Sequence, residues 1–394
     1  MTPAGRLQAA IEIVDEVIAA ARRGGAAADT LITAYFRARR YAGSKDRRAV
    51  RDLVYAAIRR AGEMPVSGRA ALIGLTETQP DLRDLFDGSA HAAAPIDPAE
   101  PIASAGVAPA WLVDKLSSQL GPEAMAALLA RAPLDLRANR LKTNRAEMVA
   151  ALPGAEAGRW SPDALRLPEG TQIERLPEWE AGKIEVQDEG SQLIVDACAA
   201  RPGMTVVDLC AGAGGKTLAL AAAMDGKGRL IACDVDRGRL ARLQPRAERA
   251  GARDVEIRLL DGGRETARLA DLGSQAEIVL VDAPCSGTGT WRRNPEARWR
   301  LTPERLARLC TTQAHVLTLA APLVRPGGRL VYAVCSLLEE EGAAQVAAFL
   351  SAHPGWTALP DAIAAGRACG AGRLLSPAAD GTDGFFVAAL CRPC

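Results

Sequence analysis

A chain of 394 residues with 48% hydrophobic content can fill the cores of two or three domains, and a formal net charge of only +1 excludes a uniformly basic or acidic protein. No apolar run approaches the roughly 18 residues that a membrane span needs. Nine scattered cysteines and three histidines fit a reducing cytoplasm and exclude a disulfide scaffold, and no metal site is expected, because the terminal pair Cys391 and Cys394 lacks a second Cys or His pair to complete a tetrahedron.

Leu7, Ile11, Val14 and Ile18 repeat at helical spacing, and Glu12, Asp15 and Glu16 interrupt the stretch, so the N-terminus reads as an amphipathic helix and not as a signal peptide. Residues 1–88 continue as several Ala-rich helices studded with arginine. Between Arg37 and Arg60 nine Lys or Arg face only Asp46 and Asp52, a local excess able to attract phosphates. Residues 89–107, with Pro95, Pro98 and Pro101, read as a linker. A helix is predicted after Pro109 through Trp111, Leu112 and Leu116. Leu136 to Lys142 then alternates apolar and basic residues, as a strand offering Arg137, Arg140 or Lys142 to solvent.

From Val186 onward the pattern becomes strand, turn, helix, repeated. Strands are predicted at 205–210, 229–234, 255–260, 277–282, 329–334 and 384–390, with helical segments between the first five, which calls for a parallel, doubly wound α/β sheet. Ligands of such sheets bind beyond the carboxyl ends of the strands. A Gly-rich turn (Cys210, Ala211, Gly212, Ala213, Gly214, Gly215, Lys216, Thr217), Asp234, Asp261, Asp282, Cys285 and Cys335 all fall at those ends. The turn ends like a phosphate loop, but the first glycine of that motif is replaced by Cys210. Asp234 stands at the distance at which a second-strand carboxylate accepts from two ribose hydroxyls, and Asp261 is suited to an adenine amino group. After Cys285 come Trp291, Arg292, Arg293, Arg298, Trp299 and Arg300, a basic segment with aromatics suited to tracking phosphates or stacking on bases.

These motifs, in order, resemble the RNA cytosine-5 methyltransferases of the Sun/Nop family, particularly the bacterial ribosomal RNA enzymes. The resemblance runs from Val186-Gln187-Asp188-Glu189-Gly190-Ser191-Gln192 through the turn at 210–217, Asp234 and Asp282-Ala283-Pro284-Cys285-Ser286. It continues through Arg292-Arg293-Asn294-Pro295 with Trp299 to Cys335-Ser336 with Glu340. Two departures stand out: Gly212-Ala213 where the family turn reads Ala-Pro, and Val334 where Thr usually precedes the second cysteine.

The resemblance implies a class I (Rossmann-like) doubly wound methyltransferase domain over 186–394. Before it stand a small α+β RNA-binding domain over 108–185 and a shortened, antitermination-factor-like helical domain over 1–88. It implies that residues 210–216, Asp234, Asp261 and Asp282 hold S-adenosylmethionine, that Cys335 is the nucleophile, and that Cys285 assists product release. RNA, foremost 16S ribosomal RNA, is the implied partner, with Arg137, Arg140, Lys142, Arg292, Arg293, Arg298 and Trp299 as the expected contacts. The protein is expected to act as a monomer. Three alternatives stand beside this one: a transfer RNA cytosine-5 methyltransferase, a DNA cytosine-5 methyltransferase attacking through Cys285, and a ribosome-assembly binding module without turnover.

The chemistry explains why such an enzyme needs these groups. Carbon 5 of cytosine is a poor nucleophile until a thiolate adds to carbon 6, and a carboxylate such as Asp282 can bond the exocyclic amine or ring nitrogen 3 as charge develops there. The carbon 5 proton must then leave before the thiol is released, so a second polar group such as Cys285 is useful near the ring.

Overall fold

The computed structural model describes residues 1–394, which form two compact units: residues 1–131 together with 290–302, and residues 132–289 together with 303–394.

The first unit is helical. Its long helix α1 (Pro3–Arg23) starts on Thr2, whose side chain accepts from the Gly5 amide, and ends on Gly24 in the left-handed region. Leu7, Ile11, Val14 and Ile18 are all buried, against α2 (Ala28–Ala38), α3 (Ser44–Arg60) and α4 (Gly68–Leu75). Asp15 is not a bystander, because its carboxylate accepts from the Gly68 amide at 2.6 Å and so ties the start of α4 to α1. Residues 89–107 are irregular, as their prolines require, yet they do not behave as a free linker. The Ala103 amide donates to the Ala70 carbonyl, Ala105 bridges to Ala61, and Glu100 pairs with Arg69. The segment therefore packs on the helical unit, and the first compact unit runs on to Arg131.

The segment 290–302 corrects the sequence reading most directly. Arg298 is fully buried: its guanidinium donates to the carbonyls of Pro295 (2.7 Å), Ile58 (2.6 Å), Arg59 (3.1 Å) and Ala61 (2.8 Å). The last carbonyls of a helix have no partner within it, and Arg298 supplies one for the end of α3. Trp299 is buried beside it and donates its indole N–H to the Ala61 carbonyl at 3.1 Å. Arg292 is also buried. These residues, expected to face RNA, instead complete the helical core, and burial lowers the Arg298 guanidinium to about 9.

The second unit contains two sheets. The smaller is antiparallel, made of β1 (Leu134–Ala138), β2 (Glu156–Ala157), β3 (Ala164–Leu167) and β4 (Ile184–Val186) in the order β2-β3-β1-β4. Strand β1 begins and ends earlier than its alternating pattern predicts and has neighbours on both edges. Arg137 is consequently buried, with its Nε donating to Gln187 at 2.7 Å, and burial lowers it to about 10. Arg140 and Lys142 lie past the strand in a turn. Arg140 pairs with Asp163, and the Lys142 ammonium donates to the carbonyls of Ala181 and Arg249. Arg137 is thus withdrawn from solvent, whereas Arg140 and Lys142 stay exposed while making these contacts.

The larger sheet holds β5 (Thr205–Asp208), β6 (Arg229–Asp234), β7 (Val255–Leu259), β8 (Ala276–Asp282), β9 (Val324–Val334), β10 (Thr357–Ala358), β11 (Arg367–Cys369), β12 (Gly372–Leu375) and β13 (Phe385–Cys391). Its order is β11-β12-β13-β9-β8-β5-β6-β7, with β10 beside β13. The five strands β5 to β9 are parallel, as expected from the helices between them. The last strand, β13, instead runs antiparallel to β9, and β11 and β12 extend that edge. Because β5 has β6 on one side and β8 on the other, successive connections leave it in opposite directions. A crevice opens at its carboxyl end, where such sheets bind ligands. No helix of the structure is long and apolar enough to cross a membrane.

Candidate active site

The chain turns at the end of β5 through Cys210 to Gly214 and enters the helix Gly215–Ala223. Gly212 and Gly214 both have positive φ, +55° and +86°, which an L side chain adopts only with strain. A Cβ on Gly212 would meet nothing within 4 Å, so this face of the turn opens onto free space. The turn is held from outside: the Gly212 amide donates to Asp234 Oδ2 at 2.7 Å, while the Asp236 amide donates to Asp234 Oδ1 at 2.7 Å. Each Asp234 oxygen keeps a lone pair for a ligand hydroxyl. Asp261 stands farther out, past the end of β7, exposed and paired with Arg268.

Acidic groups dominate this crevice. Asp208 accepts from the Thr217 hydroxyl at 2.7 Å through Oδ2, whereas its Oδ1 is buried without a partner in the structure. Burial pushes the Asp208 carboxyl up to about 7. Lys216 is the cation among them, and its Nζ lies 2.5 Å from Asp282 Oδ2. Burial alone would lower the ammonium, but the Asp282 carboxylate outweighs it, with smaller contributions from Cys335 and Asp208, and the group is held above its ordinary value. A phosphate would face Asp208, Asp234 and Asp282 with Lys216 already paired, so the donor set disfavours a nucleotide phosphate. It fits a ligand that carries hydroxyls and an ammonium group.

The two focal cysteines meet. Asp282 ends β8 and Cys335 follows β9, its parallel neighbour, which puts the two loops side by side. The sulfurs of Cys285 and Cys335 are 3.3 Å apart. Glycine makes the approach possible: the Gly289 amide donates to the Cys335 carbonyl at 3.1 Å, and a Cβ on Gly289 would lie 2.0 Å from the Gly384 carbonyl oxygen. The hydrogen bond to Cys335, burial and the charges of Cys335 and Glu341 push the Cys285 thiol well above its ordinary value. Cys198, Cys210 and Cys233 are likewise raised by burial, which makes them poor nucleophiles.

One group escaped the sequence reading. Glu341 is fully buried, and its carboxylate accepts from the Ser286 amide (2.8 Å), the Ser286 hydroxyl, the Ser336 hydroxyl (2.5 Å) and the Gln313 amide (2.9 Å). The sequence presents three successive glutamates, Glu339 to Glu341, and the resemblance falls on Glu340, one residue before the one that is buried here. The clue available was the pair of serines, each directly after a focal cysteine.

Comparison with known proteins matches two successive segments of the chain. Residues 188–391 match a family model described as 16S rRNA methyltransferase RsmB/F, and residues 108–174 match the RsmF/B-like ferredoxin-like domain. The ribosomal RNA small subunit methyltransferase B of Xanthomonas campestris is 36% identical over 294 residues, covering 72% of this chain. The match spans 66% of that relative's length, just under two thirds. Among solved structures, PH0851 superposes with a TM-score of 0.78 at 25% identity, covering 99% of each chain. A methyltransferase homolog protein from Pyrococcus horikoshii gives a TM-score of 0.62 at 27% identity, covering 72% of this chain and 94% of its own.

Proposed function

The chain belongs to the RsmB/F family of 16S rRNA methyltransferases, and from that premise we propose that it methylates carbon 5 of a cytosine in RNA, with 16S ribosomal RNA the favoured substrate. The observation that carries the reading is the contact between Cys285 and Cys335 at the edge of the crevice, 3.3 Å apart, with Lys216 and Asp282 beside them.

S-adenosylmethionine is the proposed cofactor, and the residues present fit it. Asp234 would take its ribose hydroxyls, the turn at 210–216 would admit its amino-acid end, and the unpartnered Asp208 Oδ1 suits an ammonium group. Asp261, exposed at the rim, would take the adenine amino group. When bound, the cofactor supplies an electrophilic methyl group on a sulfonium sulfur.

The protein's own groups then divide the work. Cys335 adds as thiolate to carbon 6 of the cytosine, forming a carbon–sulfur bond and pushing the ring electrons toward carbon 5. Lys216, kept protonated by Asp282, is a cation that interacts with Cys335, and Asp282 would bond the ring nitrogen or the exocyclic amine as charge develops there. Once carbon 5 is methylated, its proton leaves to a base, the carbon 5–carbon 6 double bond re-forms, and the Cys335 thiolate is expelled. Cys285, held as a neutral thiol, neither attacks nor takes that proton itself, and is suited to positioning a water that acts as the base. For RNA binding, the exposed Arg37, Arg40, Lys45, Arg47 and Arg48 flank Tyr41 in sequence, itself 74% exposed, on the helical unit.

Incubating the protein with RNA and S-adenosylmethionine carrying a tritiated methyl group tests the proposal. Label should enter cytosine as 5-methylcytosine, Cys335→Ala should abolish it, and Cys285→Ala should trap a protein–RNA adduct that survives a denaturing gel. Activity retained in Cys335→Ala, or methylation of DNA in place of RNA, would overturn it.

A further inference from the structure

We infer that Glu341 is a positioning residue whose buried carboxylate joins the loop carrying Cys285 to the turn carrying Cys335 and so holds the two thiols in contact. The inference rests on the two-thiol reading above.

The geometry is that of a clamp. Ser286 and Ser336 each follow a focal cysteine, and both hydroxyls donate to the same oxygen, Glu341 Oε2. The other oxygen takes the Ser286 amide and the Gln313 side chain, and Gln313 also donates to the Pro284 carbonyl at 3.0 Å. Four donors thus fill the roughly four acceptor positions of one carboxylate. Glu341 is held in turn by its backbone, since its carbonyl accepts from the buried Tyr332 hydroxyl at 2.6 Å on β9. Thr288 closes the circuit, with its hydroxyl 3.1 Å from Ser336 and accepting from the Leu337 amide at 2.8 Å. No hydrogen bond joins Glu341 to either sulfur, so it acts through the serines.

The charge matters as well as the tie. The titratable groups facing Cys285 are Cys335 and Glu341, with Tyr332 on β9 and Cys310 on the helix Pro303–Ala320 behind them. A fixed negative charge near Cys285 opposes a second one on its sulfur. The charge therefore works against ionisation of Cys285.

Two measurements on the full chain test this. Peptide-resolved alkylation by iodoacetamide against pH, in a Cys335→Ala background, reads Cys285 directly and needs no catalysis. Glu341→Gln should shift the profile to lower pH by about one unit. In the protein with both cysteines, Glu341→Gln should lower kcat about 10- to 100-fold with the KM for S-adenosylmethionine nearly unchanged, and Glu341→Asp should recover only part of the loss. Should Glu341→Gln fail to fold, Ser286→Ala removes one arm of the clamp and should show the same kcat loss without a KM change. An unchanged alkylation profile with unchanged kcat overturns the inference. If the unaltered protein transferred no methyl group to RNA, the proposed function would fall, while the alkylation profile would still decide what Glu341 does.

Discussion

Lys216 and Asp282 form a largely buried ion pair, Nζ to Oδ2 at 2.5 Å, that joins the helix after β5 to the end of β8. The two strands are parallel neighbours, so the pair bridges the Gly-rich turn and the loop carrying Cys285. Removing either partner leaves the other as an uncompensated charge in the crevice. Lys216→Met and Asp282→Asn should each lower kcat on the order of 100-fold, and the double variant should lose far less than the product of the two. Steady-state methyl transfer by the three variants checks it.

Asp208 predicts a pH signature. Its folded-state carboxyl stands at about 7 against an ordinary value of 3.8, raised by burial. A raised acid favours the folded state only while protonated. As pH climbs from about 4 the unfolded chain ionises first, and stability falls until the folded group ionises too, near pH 7. Asp208→Asn removes this loss. Urea unfolding should show the variant equal to the unaltered protein near pH 4 and more stable by on the order of 3 kcal/mol at pH 8.

Arg298 should behave as a core residue. Arg298→Ala deprives the end of α3 of its donor, leaving the buried Ile58 carbonyl without its side-chain partner and the Ala61 carbonyl with Trp299 alone. A loss of about 2–4 kcal/mol in unfolding free energy is expected. If Arg298 were instead an exposed RNA contact, the same change would weaken RNA binding and leave stability within about 0.5 kcal/mol.

The surface around Tyr41 should behave in the opposite way. Replacing Arg40, Lys45 and Arg48 together by Ala should leave the melting temperature nearly unchanged while weakening RNA binding. The slope of log affinity against log salt should fall by about 2, as three phosphate contacts on single-stranded RNA are lost. Filter binding across a salt series measures it.

Much of this was determined by sequence alone. Alternation of strand and helix patterns after Val186 dictates a parallel sheet, and the carboxyl ends of its strands collect the Gly-rich turn, Asp234, Asp282, Cys285 and Cys335 whatever the details of packing. Local sequence could not decide which polar residues are buried. Arg298 and Trp299 look like RNA contacts because positive charge stands beside aromatics, and Arg137 because it alternates with apolar residues, yet a helix end 240 residues away and two flanking strands claim them. Glu341 was hidden for the same reason. Three glutamates in a row are equivalent until the ends of β8 and β9 come together and present four donors to one of them, because a buried carboxylate is tolerated only where distant parts of the chain supply its partners.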